Sequence, residues 1–322
     1  MPFKGNAEII EKVVAQLRDM TAEERSRAET FIRAYYRQVD PADLGARSIS
    51  NLHSAALAHL NLINEFKTGA PKLRVYNPQR DRDGWESTHT VIDIINDNMP
   101  FLVDSVTMEV NRQGMTLHLI IHPVIKTRRD ANGALIDILP SESVKDALSE
   151  SVMHAEVDRQ TDPRKLNDLE AGILRVLGDV RKAVADYGNM KGRLNRLISD
   201  LKKPYVGGLD PATVEEDKAF LTWLAERHFT FLGYRDYDLI QEGDEDVLRA
   251  VPDSGLGILR ESGQTHASKG FAAMTPQMRK LARVAELLVL TKANSRATVH
   301  RPAYLDYVGI KRFDAKWFRL RN

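Results

Sequence analysis

The chain contains no cysteine among its 322 residues. Disulfides, thiolate nucleophiles and cysteine-ligated zinc are excluded together. Aromatic residues are sparse, at 7%. The longest apolar run, around LHLIIHPVI, falls far short of the roughly 20 residues a membrane helix needs. No signal peptide is expected, because charge interrupts MPFKGNAEII within a few residues. With 46 basic against 45 acidic residues, whole-chain charge gives no argument for a nucleic-acid or membrane partner. The usual catalytic fingerprints are missing as well. Gly255-Leu-Gly257-Ile-Leu-Arg260 lacks the third glycine of a dinucleotide loop, and there is no Walker loop, H-E-x-x-H or G-x-S-x-G. No residue is therefore assigned to catalysis, to a cofactor or to a metal.

What is present exceeds one ordinary core, so two or three domains are expected. The charge is segregated: residues 209–260 carry 12 acidic and 5 basic groups, residues 279–322 carry 11 basic and 3 acidic. Without a nucleic-acid motif beside it, this reads as two complementary patches meeting within one domain or assembly. Residues 1–70 read as a helical segment. Thr21 and Glu24 form a capping box ahead of AEERSRAETFIRAYYRQV. Asp40-Pro41 opens the next helix, expected to run to about Phe66 before KTGAPK breaks the pattern. So small a helical pair must dock on something else.

From Leu73 the pattern changes to α+β. LRVYNP and HTVIDII read as strands, FLVDSVTMEVNRQ as a helix ended by Gly114. MTLHLIIHPVIKTRR reads as one strand, DANG as a hairpin turn and SVMHAEVDRQ as another strand. A long helix follows Asp162-Pro163, with Leu166, Leu169, Ile173, Leu177, Val180 and Val184 on its buried stripe. The order predicts an open-faced sandwich over residues 71–205, with helices on one side of an antiparallel sheet. His118 and His122 would lie ~13 Å apart along a strand, too far to share a metal. They fall in phase with His154 and Glu156, which predicts a polar outer sheet face covered by another domain. His53 and His59 do not share a helix face. Residues 206–322 read as a second α+β domain: Gly207-Gly208 a linker, Asp210-Pro211 opening a helix, HFTFLGYRDYDLI a strand, VLRAVPDSGLGILRE a hairpin. FAAMTPQMRKLARVAELLVL runs from helix into strand, and YLDYVGIKRF is a final strand with nothing after it to pair with.

One loop has ligand-binding chemistry. Asp97, Asn98, Met99 and Pro100 lie between a strand end and a helix start, where free amides can hold a carboxylate such as that of an amino acid. An ordinary capping turn is the commoner use of Asp-Asn-x-Pro.

THTVIDIINDNMPFLVDSVTMEVNRQGMTLHLIIHPV, HFTFLGYRDYDL and LTKANSRATVHRPAYLDYVGIKRFDA resemble, in order, the N-terminal region of the large bacterial NAD-dependent glutamate dehydrogenases. The resemblance covers roughly residues 25–316. It implies an ACT-like domain at 71–205 and an incomplete PAS-like mixed domain at 206–322. It implies a regulatory and assembly portion whose partners are other domains or subunits of a cytoplasmic homo-oligomer. The catalytic domain, with its NAD site, comes later in that family, whose reaction is oxidative deamination of L-glutamate to 2-oxoglutarate. A free-standing amino-acid-sensing ACT module is the alternative. Two departures stand out. Many amino-acid-binding ACT domains place glycine after the loop proline, where Phe101 stands here. After Lys316 the family pattern gives way to WFRLRN, which implies a truncated or frameshifted chain with an unstable region beyond residue 207.

Overall fold

The computed structural model describes residues 5–140, 147–201, 209–242, 245–260 and 286–312. The chain divides into two compact units, Met1–Leu177 and Gly178–Asn322.

The first unit begins with four helices: α1 (Asn6–Val14), α2 (Ala22–Tyr36), α3 (Pro41–Gly45) and α4 (Ile49–Asn64). The Thr21–Glu24 capping box forms as expected. The single helix expected from Asp40 to Phe66 is instead two, α3 and α4. After one turn a second N-cap competes: Ser48 accepts from Asn51 N–H and restarts the helix in a new direction.

A six-stranded antiparallel sheet follows, from β1 (Lys72–Tyr76), β2 (Thr90–Asp97), β3 (Leu117–Ile121), β4 (Val124–Arg129), β5 (Leu135–Leu139) and β6 (Leu148–Val157). A single turn, α5 (Arg80–Asp83), lies between β1 and β2, and α6 (Leu102–Arg112) between β2 and β3. The strand order is β1-β2-β6-β4-β5, with β3 also pairing β6. The strand expected at MTLHLIIHPVIKTRR is therefore interrupted. β3 pairs the far half of β6 and β4 its near half, with His122-Pro123 between them. Proline has no amide to give the ladder, so pairing stops there and resumes beyond it. A register irregularity between Leu117 and Leu119 also breaks the single apolar face expected of Met115, Leu117, Leu119 and Ile121. The DANG turn closes the β4–β5 hairpin, with Gly133 at φ 84°.

The sheet is not open-faced. Ile95, Ile121, Ile125, Ile138 and Val152 share one core with Phe31, Ile32, Tyr35, Leu52 and Ile63 of the helices. Alternate residues Ile92, Ile94, Met153, Ala155 and Val157 are buried on the opposite face, as are Val106 and Val110 of α6 and Leu169, Ile173 and Leu177 of α7 (Pro163–Asp200). The small helical layer docks on the sheet, which is how it escapes its lack of a core of its own.

In the second unit, α8 (Pro211–Trp223) is capped by Asp210, whose side chain accepts from Thr213 N–H. A wide turn over Leu224–His228 follows. Leu194, Leu201, Leu221, Leu224 and Leu287 form a core. The aromatic strand is split into β7 (Gly233–Tyr234) and β8 (Tyr237–Glu242), pairing β10 (Leu256–Gly257) and β9 (Glu245–Ala250) respectively. The final strand, β12 (Tyr304–Ile310), is not left without a partner. It pairs antiparallel with β11 (Leu288–Arg296). One ion pair, Arg312 to Asp236 at 3.3 Å, joins the basic and acidic segments. The Lys203-Pro204 and Gly207-Gly208 stretch, the FAAMTPQMRKLARV segment and the tail from Phe313 lie outside the described residues.

Candidate functional site

Two places in the first unit collect polar groups. The first is the β2–α6 junction singled out in the sequence. Asp97 ends β2, and its Oδ2 accepts from Gly69 N–H at 3.0 Å. Asn98 is exposed, and its backbone N–H donates to Ser149 O at 2.9 Å. Met99 is half-buried and Pro100 exposed. Two of the four are thus engaged in holding the loop against its neighbours. Phe101 takes a left-handed backbone (φ 74°, ψ 0°) immediately before α6. That conformation favours glycine, so the structure explains why a glycine is at home here and shows a bulky residue enduring it. The strain is of order 1–2 kcal/mol.

The second place was not assembled by sequence reasoning. His59 on α4, Asp93 on β2 and His154 on β6 meet in the interior, their candidate ligand atoms all within 4.8 Å of one another. Asp93 and His154 are direct cross-strand partners, and α4 lies over that face. His154 Nδ1–H donates to Asp93 Oδ1 at 2.6 Å. His59 Nδ1 stands 3.6 Å from the same oxygen, and 3.1 Å from Tyr35 Oη. Tyr76 OH donates to Asp93 Oδ2 at 2.9 Å. On the far side, His154 Nε2 faces Glu156 Oε1 at 3.6 Å, and Arg47 donates to Glu156 Oε2 at 2.7 Å.

Burial alone would push both imidazoles down, and their partners decide otherwise for one of them. Burial holds His59 down at about 4, against the weaker pull of Asp93. For His154 the adjoining Asp93 and Glu156 carboxylates overcome burial and raise it to about 9. Burial opposes ionisation of Asp93 and Glu156 too. The two histidines hold Asp93 below the usual carboxylate range, and His154 with Arg47 holds Glu156 at about 2. Two cations, His154 and Arg47, therefore balance two anions in a core that would not tolerate either sign alone.

The expected polar sheet face covered by another layer is present in His154 and Glu156, and the cover is the N-terminal helices. His118 and His122 do not join it. His118 Nε2 pairs with Asp158 at 2.7 Å, and His122 Nε2 with Ser151 Oγ at 2.7 Å. The missed member is His59, set aside because it was compared only with His53 on its own helix. The legible signal was its place on the buried stripe Leu52-Ala56-His59-Ile63.

In the second unit, a cavity of about 1210 Å³ is lined by aromatic and basic side chains, among them Phe231, Tyr234, Tyr307, Arg235 and Arg312.

An antiparallel sheet with α6 and α7 against one face is the architecture of an ACT domain, and the family model for "Glutamate dehydrogenase, ACT1 domain" matches residues 31–173. The chain is 36% identical over 287 residues to the NAD-specific glutamate dehydrogenase of Halomonas elongata, and 37% identical over the same length to that of Pseudomonas aeruginosa. A further relative of the same name, from Mycobacterium tuberculosis, is 25% identical over 170 residues, 52% of this chain and 10% of its own length. This chain therefore corresponds to the N-terminal region of the large NAD-specific glutamate dehydrogenases. The first two matches take in 89% of the chain but only 18% of the relatives' own length.

Proposed function

We propose that this chain is the regulatory and assembly portion of an NAD-dependent glutamate dehydrogenase that converts L-glutamate and NAD to 2-oxoglutarate, ammonia and NADH. The carrying observation is the ACT1 match over residues 31–173, set within identity of 36–37% across most of the chain. NAD is held by the parent enzyme, and its cytoplasmic subunits associate through these domains. Among the described residues no helix is long and apolar enough to cross a membrane, in keeping with that setting. The division into residues 1–70, 71–205 and 206–322, with the last PAS-like, belongs to the same reading, as does an amino-acid effector seated at Asp97, Asn98, Met99 and Pro100. The test has two arms. The isolated chain, lacking any dinucleotide fingerprint, should form no NADH from glutamate. Calorimetric titration with a panel of amino acids should give heats that vanish in Pro100→Ala; a silent panel leaves this loop a capping turn. A free-standing amino-acid sensor is the competing reading, and glutamate dehydrogenase activity regained on adding the remaining domains would decide against it.

A further inference from the structure

We propose that His59, Asp93 and His154 bind one divalent transition-metal ion that clamps the N-terminal helices to the sheet. The ligand atoms would be Nδ1 of each histidine and Oδ1 of the aspartate, a nitrogen–oxygen set that suits zinc or cobalt and disfavours the harder magnesium and calcium. Around a tetrahedral ion with bonds near 2 Å, ligand atoms lie ~3.3 Å apart. The distances here, 2.6 and 3.6 Å about Asp93 Oδ1, bracket that spacing. The longer contact exceeds a hydrogen bond, so in the metal-free state His59 approaches the carboxylate without bonding to it.

The surroundings match a built site. A metal-bound histidine ordinarily presents its other nitrogen to a carboxylate, and His154 Nε2 faces Glu156. A metal-bound carboxylate is ordinarily steadied on its second oxygen, and Tyr76 donates there at 2.9 Å. Arg47 fixes Glu156 in turn. Tyr35 Oη, 3.1 Å from His59 Nδ1, or a water beside it, supplies the fourth position. There is also a way in. His89 Nδ1 lies 3.3 Å from Glu156 Oε2, and its ring is 4.5 Å from that of the exposed His118. Four of the nine histidines thus form a track from solvent to the interior. On binding, the metal takes the nitrogen lone pair of His154, whose proton leaves to solvent.

The experiment uses the full 322-residue chain without a histidine tag, stripped with chelator. Zinc titrated in a calorimeter should show one site per chain, and cobalt should give visible bands of a four- or five-coordinate nitrogen–oxygen site. Glu156→Gln should weaken zinc binding about 10–100-fold while the circular dichroism spectrum is kept. His118→Ala should slow uptake and leave the affinity unchanged. His59→Gln should abolish binding. Should that variant fail to fold, X-ray absorption of the zinc-loaded wild type decides, with two imidazoles and a carboxylate expected. Absence of a one-to-one site, loss of binding in His118→Ala, or wild-type affinity in a folded His59→Gln would each overturn the proposal.

Discussion

Asp93 serves two imidazoles at once, and the two respond in opposite directions. His154, raised to about 9, contributes stability that is complete below its ordinary value near 6.5 and is lost as pH rises through 9. His59, lowered to about 4, acts the other way: the unfolded chain takes up its proton first, so stability falls as pH drops from 6.5 towards 4. Glu156 and Asp93, both lowered, add a further loss at still lower pH. The chelator-treated protein should therefore melt highest near pH 6.5, with arms falling on both sides. His154→Gln should remove the alkaline arm, and an unchanged arm would show that another group titrates there. A second buried pair supports a simpler experiment. Arg129 and Glu150 are 2% and 1% exposed, and Arg129 also donates to Ile63 O at 3.0 Å. Glu150→Ala strands the guanidinium and should lower stability by about 3–5 kcal/mol in denaturant unfolding.

At the scale of elements, Gly172 makes α7 and α6 unusually dependent on one another. A methyl added there would meet Glu109 Oε1 at 2.0 Å and Gln113 Nε2 at 2.6 Å. Glu109 cannot swing away freely, because Arg112, Gln113 and Arg175 all donate to it. Glycine to alanine in mid-helix ordinarily gains up to about 1 kcal/mol. Here Gly172→Ala should instead lose about 1–3 kcal/mol by overpacking, read as a lowered urea midpoint. Helices and strands of this unit were largely legible because each carries a local signal: the Thr21 box, Gly114 with its positive φ, the alternation of β2. The breaks were harder. Ser48 restarting a helix and Pro123 splitting a strand are local competitions whose outcome depends on what packs above them. The partner of β12 went unseen because β11 precedes it across a long connection. The buried cluster was half legible: strand phase put His154 and Glu156 on a polar face, while His59 comes from a helix 95 residues earlier, and no periodicity links the two.

For the whole first unit, the helical layer is structural for the sheet rather than an appendage. Deleting residues 1–70 would uncover Ile95, Ile125, Ile138 and Val152 together with the charged Asp93, Glu150 and His154. A chain starting at residue 71 should be insoluble or lack fixed tertiary structure, and dispersed amide resonances from it would refute the shared core. Amide exchange in the intact protein should be slowest in β2 and β6, which are covered on both faces. The position of β6 has a consequence for biosynthesis. It bonds to β2, β3 and β4, yet it is the last of the six strands to leave the ribosome. Until residue 157 has emerged, β2 has only β1 beside it, and β3 has no partner at all. The nascent chain must carry its helices and five strands as unfinished business, and the final ten-residue strand turns them into a sheet in one step.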